Sequence, residues 1–366
     1  MIRVGVLYGG RSGEHDVSRC SAASVVSFLD RSKYEVIAIG IDRDGRWYVQ
    51  EKPEIIDDHD FGRTLKLEKK GSWLVNHYER DGRLCLKDCE NGGEVLVDVV
   101  FPVVHGTFCE DGTLQGLLEL AMVPYVGADV SGSAIGMDKD VAKRLLRDAG
   151  IPVVPWLKIT RYQWERNEAA IVESIHEKAG LPCFIKPCNA GSSVGISKVR
   201  QAGELLKAVN EAFEWDSTIL VEKAIEAREI EFSVLGTDDP QVSVPGEIRP
   251  KYEFYSYEAK YIDSDGAELI IPAEIEESAA EEMRSIAKNA YMALNCSGMA
   301  RIDFFMDKNT GSYFVNEINT LPGFTSISMY PKLWEKTGIA YADLLEKLIR
   351  LAVERRERKS SLRTVF

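Results

Sequence analysis

No stretch of this 366-residue sequence holds the roughly 18 consecutive apolar residues of a membrane-spanning helix, so no membrane role is expected. The start, Met1 to Tyr8, reads as a strand running into Gly9-Gly10, not as a basic leader followed by an apolar segment, which argues against secretion. Positive charge is scarce: 45 Lys and Arg face 58 Asp and Glu, for a formal net charge of −13. That excludes a general nucleic-acid binder, which needs clustered surface cations, and confines any phosphate chemistry to a local basic pocket. The seven cysteines are odd in number and scattered, and the pair Cys85 and Cys89 fits neither a zinc nor a redox spacing. Free thiols in a reducing cytoplasm are expected. Internal repeats and low-complexity linkers are also missing, so the folded units should pack closely.

The length exceeds what one hydrophobic core usually organises, and two or three compact domains are expected. Val4 to Leu7, a glycine turn and a helix carrying Val17, Ser21, Val25, Phe28 and Leu29 on one face form a β-turn-α unit, with the next strand at Tyr34 to Ile41. Arg43 to Gly93 is irregular and turn-rich, which predicts hairpins and surface excursions outside the core. Val95 to Val104 reads as one buried strand of a parallel sheet. Residues 1–127 are thus a doubly wound α/β domain. A helix from Asp138 to Asp148 stops at Gly150, ahead of Pro152. Strands at Val153 to Ile159, Cys183 to Pro187 and Val194 to Val199 then alternate with helices near Glu168 to Ala179 and Ala202 to Phe213, giving an α+β unit over 128–220. A second α+β unit, 221–366, holds strands Ile219 to Glu222 and Glu229 to Leu235 at its start, a polar aromatic loop Pro250 to Ile262, helices Ser278 to Leu294 and Tyr341 to Arg358, and a hairpin Met299 to Asn319.

The hairpin carries the sharpest chemical signal. Strand side chains alternate, so Arg301 shares a face with Asp303, and Glu317 with Asn319. A turn centred near Thr310 sets Asp303 opposite Glu317 and Arg301 opposite Asn319, while Ile302, Phe304, Phe314 and Ile318 take the apolar face. Facing carboxylates destabilise a sheet unless something positive lies between them. Such hard oxygen ligands suit Mg²⁺ completed by water and nucleotide phosphate; the alternative is a solvated hairpin face. Lys186, ending a buried strand, precedes Gly191-Ser192-Ser193-Val194-Gly195; a point charge and backbone N–H dipoles suit a triphosphate, although a plain turn would look the same. The Lys precedes the glycines, so this is not a Walker motif, and Lys139 and Lys260 are further candidate cations. After the first strand, Gly9 to Ser18 lacks the glycine spacing of a dinucleotide turn, yet a ligand belongs beyond that strand end. Glu14 there is suited either to an ammonium ligand or to capping a helix.

In chain order, the segment Gly9 to Ser18, His105-Gly106 with Glu110-Asp111-Gly112-Thr113, Met137-Asp138-Lys139, Lys186-Pro187 with Gly191 to Gly195, Glu258-Ala259-Lys260-Tyr261, Arg301-Ile302-Asp303 and Asn316 to Gly323 resemble the ordered motifs of the D-alanine–D-alanine ligase family. The resemblance spans Gly9 to Met329, and the series in order is far more specific than any single motif. It implies an ATP-grasp fold, in which an N-terminal doubly wound domain precedes two α+β subdomains that clamp ATP. It also implies that Lys139, Lys186 and Lys260 contact ATP phosphates, that Glu222, Lys223, Ala224, Ile225 and Glu229 hold adenine and ribose, and that Asp303, Glu317 and Asn319 bind two Mg²⁺ (or Mn²⁺) ions. Glu14 would take the ammonium of the first D-alanine, with His105 beside it, and Ser328 with Met329 the carboxylate of the second. Arg301 and the Gly323 N–H would face the oxyanion, while Ser192 and Tyr261 order the closed site. One departure is Cys109, where the family usually has glycine.

The implied reaction makes an acyl-phosphate from ATP and a carboxylate, then lets a free amine attack it, in a site closed by Pro250 to Ile262 against water. A D-lactate- or D-serine-using ligase is the alternative within the class, and Tyr261 argues against the lactate version. A non-catalytic nucleotide-binding protein on the same fold is the alternative outside it. A homodimer is expected from the family.

Overall fold

The computed structural model describes residues 1–80, 82–251 and 266–363. The expected loop Pro250 to Ile262 lies largely outside the described residues, and Lys260 and Tyr261 lie wholly outside them.

Strand β1 (Ile2–Gly9) feeds helix α1 (His15–Phe28), which returns the chain to β2 (Tyr34–Ile41), parallel to β1 from Ile2↔Tyr34 onward. Val17, Ser21, Val25 and Leu29 are buried as expected, whereas Phe28, at the helix end, is exposed. Then follow β3 (Trp47–Val49), a ribbon of β4 (Ile55–Asp58) and β5 (Gly62–Leu65), β6 (Trp73–Arg80), β7 (Arg83–Asp88), β8 (Glu94–Val97) and β9 (Val99–Pro102), giving the sheet order β8-β7-β6-β3-β2-β1-β9. Two expectations change here. The hairpins expected over 43–93 are present, but they do not all lie outside the core: they extend the edge of β2, and Leu65, Leu84, Cys85 and Leu86 are fully buried. The apolar run from Val95 also breaks at Asp98, whose N–H donates to Arg3 O at 2.9 Å and whose carboxylate accepts the Arg3 N–H at 2.7 Å. That exchange moves the chain from an antiparallel pairing with β7 to a parallel one with β1.

Helices α2 (Thr113–Leu120), α3 (Val130–Met137) and α4 (Lys139–Asp148) lead to the central unit. Asp138 caps α4 by accepting the Val141 N–H. There β10 (Trp156–Thr160), β11 (Cys183–Pro187), β12 (Ser197–Val199) and β13 (Thr218–Lys223) form an antiparallel sheet in the order β10-β13-β11-β12, backed by α5 (Arg161–Lys178) and α6 (Leu205–Trp215). Helix α5 starts earlier than expected because Thr160 and Gln163 form a capping box. The last unit holds β14 (Ala227–Gly236), β15 (Gln241–Val242), β16 (Gly246–Pro250), β17 (Ala267–Ile270), α7 (Glu277–Ala293), β18 (Gly298–Asp307), β19 (Tyr313–Asn319), α8 (Met329–Thr337) and α9 (Tyr341–Ser360), with sheet order β17-β16-β14-β18-β19. One apolar core runs from Val4 and Phe101 through Phe324 and Trp334 to Leu345 and Ile349, so the first sheet is packed directly on the C-terminal helices.

Candidate active site

The β18–β19 pairing sets Arg301 opposite Asn319 and Asp303 opposite Glu317, as strand alternation predicts. A bulge after Asp303 then shifts the register by one, so Val315 replaces Phe314 on the buried face and half-exposed Phe314 pairs with Phe305. On the other side of β18, β14 sets Glu231 opposite Asp303 and Ser233 opposite Arg301. Three carboxylates, Glu231, Asp303 and Glu317, therefore form one row across three strands, and the positive group among them is Arg301. Its Nε and Nη2 donate to Asp303 Oδ1 and Oδ2, both at 2.7 Å, and Nε also lies 3.0 Å from Glu231 Oε2. Burial works against the guanidinium charge, but Asp303 and Glu231 outweigh it and hold Arg301 firmly protonated. Asn319 Nδ2 donates to Asp303 Oδ2 at 2.9 Å. Among the described residues, no three His, Cys, Asp or Glu side chains cluster as a self-sufficient metal cage. Two carboxylates and an amide, all oxygen donors, instead fit a Mg²⁺ ion that draws its other ligands from nucleotide phosphate and water.

A second cluster lies where the central sheet meets this hairpin. Glu222 on β13 is paired with Phe184 of β11, and its carboxylate takes Lys186 Nζ at 2.7 Å on one oxygen and Lys143 Nζ at 3.0 Å on the other. Burial alone would raise the Glu222 pKa; the two ammonium groups overcome it and hold the pKa at about 2. Lys143, 2% exposed, is pulled down by burial and up by Glu222. Lys186 also reaches Asn316 Oδ1 of β19 at 3.5 Å and lies over the Phe305 ring, which joins the two sheets. Lys139, at the start of α4, donates to Ala190 O at 2.6 Å and so sits against the 191–195 turn. In that turn Ser192 and Ser193 both hold positive φ, 47° and 61°, strain of roughly 1–3 kcal/mol each. Gly195 is required: at φ +69° a Cβ would lie 2.6 Å from Trp215 Cδ1. Lys223 is exposed and Ala224, Ile225 and Glu229 are half-buried, along the β13–β14 connection beside this cluster.

Buried Glu14, at the N-cap of α1, closes the other side; a Cβ on Gly191 would stand 3.5 Å from its Oε1. Glu110, which the sequence reading leaves without a role, accepts the Gly106 N–H at 2.7 Å. Burial first, and then the Glu14 charge, push its pKa up to about 8, so one proton is held near two carboxylates. His105 is buried: Nδ1 lies 3.0 Å from Leu321 O and Nε2 3.3 Å from Ser21 Oγ, which fixes the tautomer with the proton on Nδ1, and burial lowers its pKa to about 4. It is a neutral bracket between α1 and the 321–324 segment. Gly323 leaves room for Ser328, whose Oγ would be 2.8 Å from a Cβ there. Ser328 Oγ accepts the Thr325 N–H at 2.9 Å and precedes α8. The Met329 side chain is buried with Ile248 and Leu333, so this residue can offer a ligand only its main chain. Glu231, Lys143 and Glu110 are the site-lining charges that periodicity does not reveal.

Two family models match the chain, D-ala D-ala ligase N-terminus over residues 3–128 and D-ala D-ala ligase C-terminus over 145–350. It is 47% identical over 362 residues to a D-alanine–D-alanine ligase of Shouchella clausii, covering 99% of this chain and 97% of that one. It is 46% identical over 366 residues to D-alanine–D-alanine ligase A of Escherichia coli K12, covering 100% and 99%. Among solved structures, it resembles the D-alanine-D-alanine ligase from Coxiella burnetii with TM-score 0.79 and 36% identity, over 98% and 96% of the two chains. It resembles the VanG D-Ala:D-Ser ligase from Enterococcus faecalis with TM-score 0.81 and 36% identity, over 96% and 99%.

Proposed function

The chain belongs to the D-alanine–D-alanine ligase family, and on that footing we propose that it uses ATP to join two D-alanine molecules through a D-alanyl-phosphate, in the cytoplasm and as a homodimer. The observation that carries this reading is the Asp303–Glu317 pair under Arg301, linked through Asn316 to the Lys186–Glu222 cluster. One side of this arrangement suits an ATP phosphate chain and the other a carboxylate to be activated.

In this reading residues 1–127 supply the first amino-acid subsite, and 128–220 and 221–366 clamp the nucleotide. Lys139, Lys186 and Lys260 neutralise phosphate charge, and the 191–195 turn adds N–H donors. Glu222 to Ile225 and Glu229 line the adenine and ribose. Asp303, Glu317 and Asn319 would hold two Mg²⁺ ions, which supply charge neutralisation for phosphoryl transfer. Glu14, with Glu110 behind it, receives the ammonium of the first D-alanine, and Ser328 with the Met329 main chain receives the carboxylate of the second. Arg301 and the Gly323 N–H face the oxyanion formed when the amine attacks. Ser192 and Tyr261 order the closed site, which must exclude water from the acyl-phosphate.

The test is phosphate release with ATP, Mg²⁺ and a panel of D- and L-amino acids and D-hydroxy acids, with products read by mass spectrometry. D-alanine alone should support turnover and yield D-alanyl-D-alanine; release that is independent of any amino acid, or none at all, refutes the proposal. The likeness to a D-Ala:D-Ser ligase favours one second reading, a ligase that adds D-serine, which mixed D-alanine and D-serine incubations discriminate.

A further inference from the structure

Asp303 has two claims on it. Both of its carboxylate oxygens are taken by Arg301, at 2.7 Å each, and Asn319 adds a third donor, yet the proposed reaction needs the same oxygens for a metal ion. Arg301 cannot simply give them up, because a guanidinium left largely out of water without an anion is costly. A second anion is already beside it. Glu231, 4% exposed, lies opposite Asp303 on the neighbouring strand, with Oε2 3.0 Å from Arg301 Nε. The same Nε is therefore shared between a carboxylate that must leave and one that need not. Across β16, Glu231 faces Gly246, which brings no side chain to compete for it.

We propose that Glu231 is the positioning residue for Arg301: it retains the guanidinium when Asp303 turns to the metal ion, so that one arginine is both released from Asp303 and kept aimed at the oxyanion. This rests on the role given to Arg301 above and adds a residue that the site assignment does not contain. Without Glu231, Arg301 stays on Asp303, so metal binding and turnover weaken together. A residue that merely stabilised the sheet would affect both irrespective of Arg301.

A double-mutant cycle on the full chain tests this, reading kcat with ATP and D-alanine and, separately, Mn²⁺ binding by EPR in the presence of ADP. Glu231→Gln should lower kcat and Mn²⁺ affinity by about tenfold each, as loss of a residue orienting a ligand does. In an Arg301→Gln background the same change should cost less than about twofold in either readout, since the contact it acts through is gone. If Glu231→Gln does not fold, Glu231→Asp, which keeps the charge one methylene short, should show a smaller loss in both readouts, again only with Arg301 present. Equal losses in the two backgrounds, no loss of kcat, or unchanged Mn²⁺ affinity overturns the inference. Wild-type turnover of Arg301→Gln alone would overturn the role of Arg301 as well, and is told apart because failure of the inference by itself leaves that variant slow.

Discussion

The Lys143–Glu222–Lys186 triad offers the sharpest quantitative test of the central unit. Glu222→Gln keeps the side-chain volume but removes the anion between two ammonium groups 3.0 and 2.7 Å away, one of them on a residue 2% exposed. Removing one partner of a buried ion pair typically costs about 3–5 kcal/mol, because the remaining charge has neither water nor a counter-ion. For a unit of this size that is a fall in melting temperature of roughly 10–40 °C. The sign of the pH dependence is fixed. Burial already pulls Lys143 below its ordinary pKa, and losing Glu222 removes the largest opposing influence. The unfolded chain then binds more protons than the folded one, so stability rises with pH and the deficit should shrink as the pH climbs toward the ordinary lysine range. Thermal unfolding of wild type and variant, followed by circular dichroism across that range, measures it. The triple variant Lys143→Met/Lys186→Met/Glu222→Leu, which leaves neither ammonium without its anion, should recover most of the loss, since apolar replacement of a whole buried ion-pair cluster is often neutral. A deficit below about 1 kcal/mol, typical of an exposed ion pair, or one that does not change with pH, refutes the buried-triad account.

Glu317→Gln should leave the circular dichroism spectrum intact while turnover falls by orders of magnitude, because charge developing in phosphoryl transfer goes uncompensated; a near-wild-type rate would remove the hairpin from the active site. Turnover should rise from about pH 6 toward pH 9, since an ammonium has no lone pair to attack with, and a flat profile with chemistry rate-limiting would contradict direct amine attack. Over the same range Glu110, held at about 8 chiefly by burial, should ionise, so the affinity for the first D-alanine, read by calorimetry, should also rise with pH. His105 gives the opposite kind of linkage. Its folded-state pKa of about 4 lies below the ordinary value, so the stability it contributes is present above about pH 6.5 and is lost as pH falls toward 4, in total about 3 kcal/mol; urea titrations should show that acid loss in wild type and its absence in His105→Gln.

What the sequence determined by itself was local. A period of two and a turn centred near Thr310 placed Asp303 against Glu317 and Arg301 against Asn319, and called for a cation between the carboxylates; the bulge after Asp303, which reconciles that pairing with the Phe305–Phe314 register nearer the turn, was not legible in the alternation. The helix start at Asp138 and the buried strand carrying Lys186 were legible for the same reason: each depends on residues a few positions apart. The role expected of Tyr261 came only through resemblance, and Tyr261 and Lys260 both lie outside the described residues. The tertiary structure decided whatever depends on partners distant in the chain. Glu222 gains its two lysines 36 and 79 positions earlier because β11 lies beside β13 and α4 packs against that sheet, and no pattern within any one segment contains that information. Glu231 meets Arg301 only because β14 borders β18, and the run from Val95 breaks only because Asp98 pairs with Arg3. Periodicity says which face of a strand is buried; which strand lies next to it, and therefore which charges meet, is settled by how the sheets assemble.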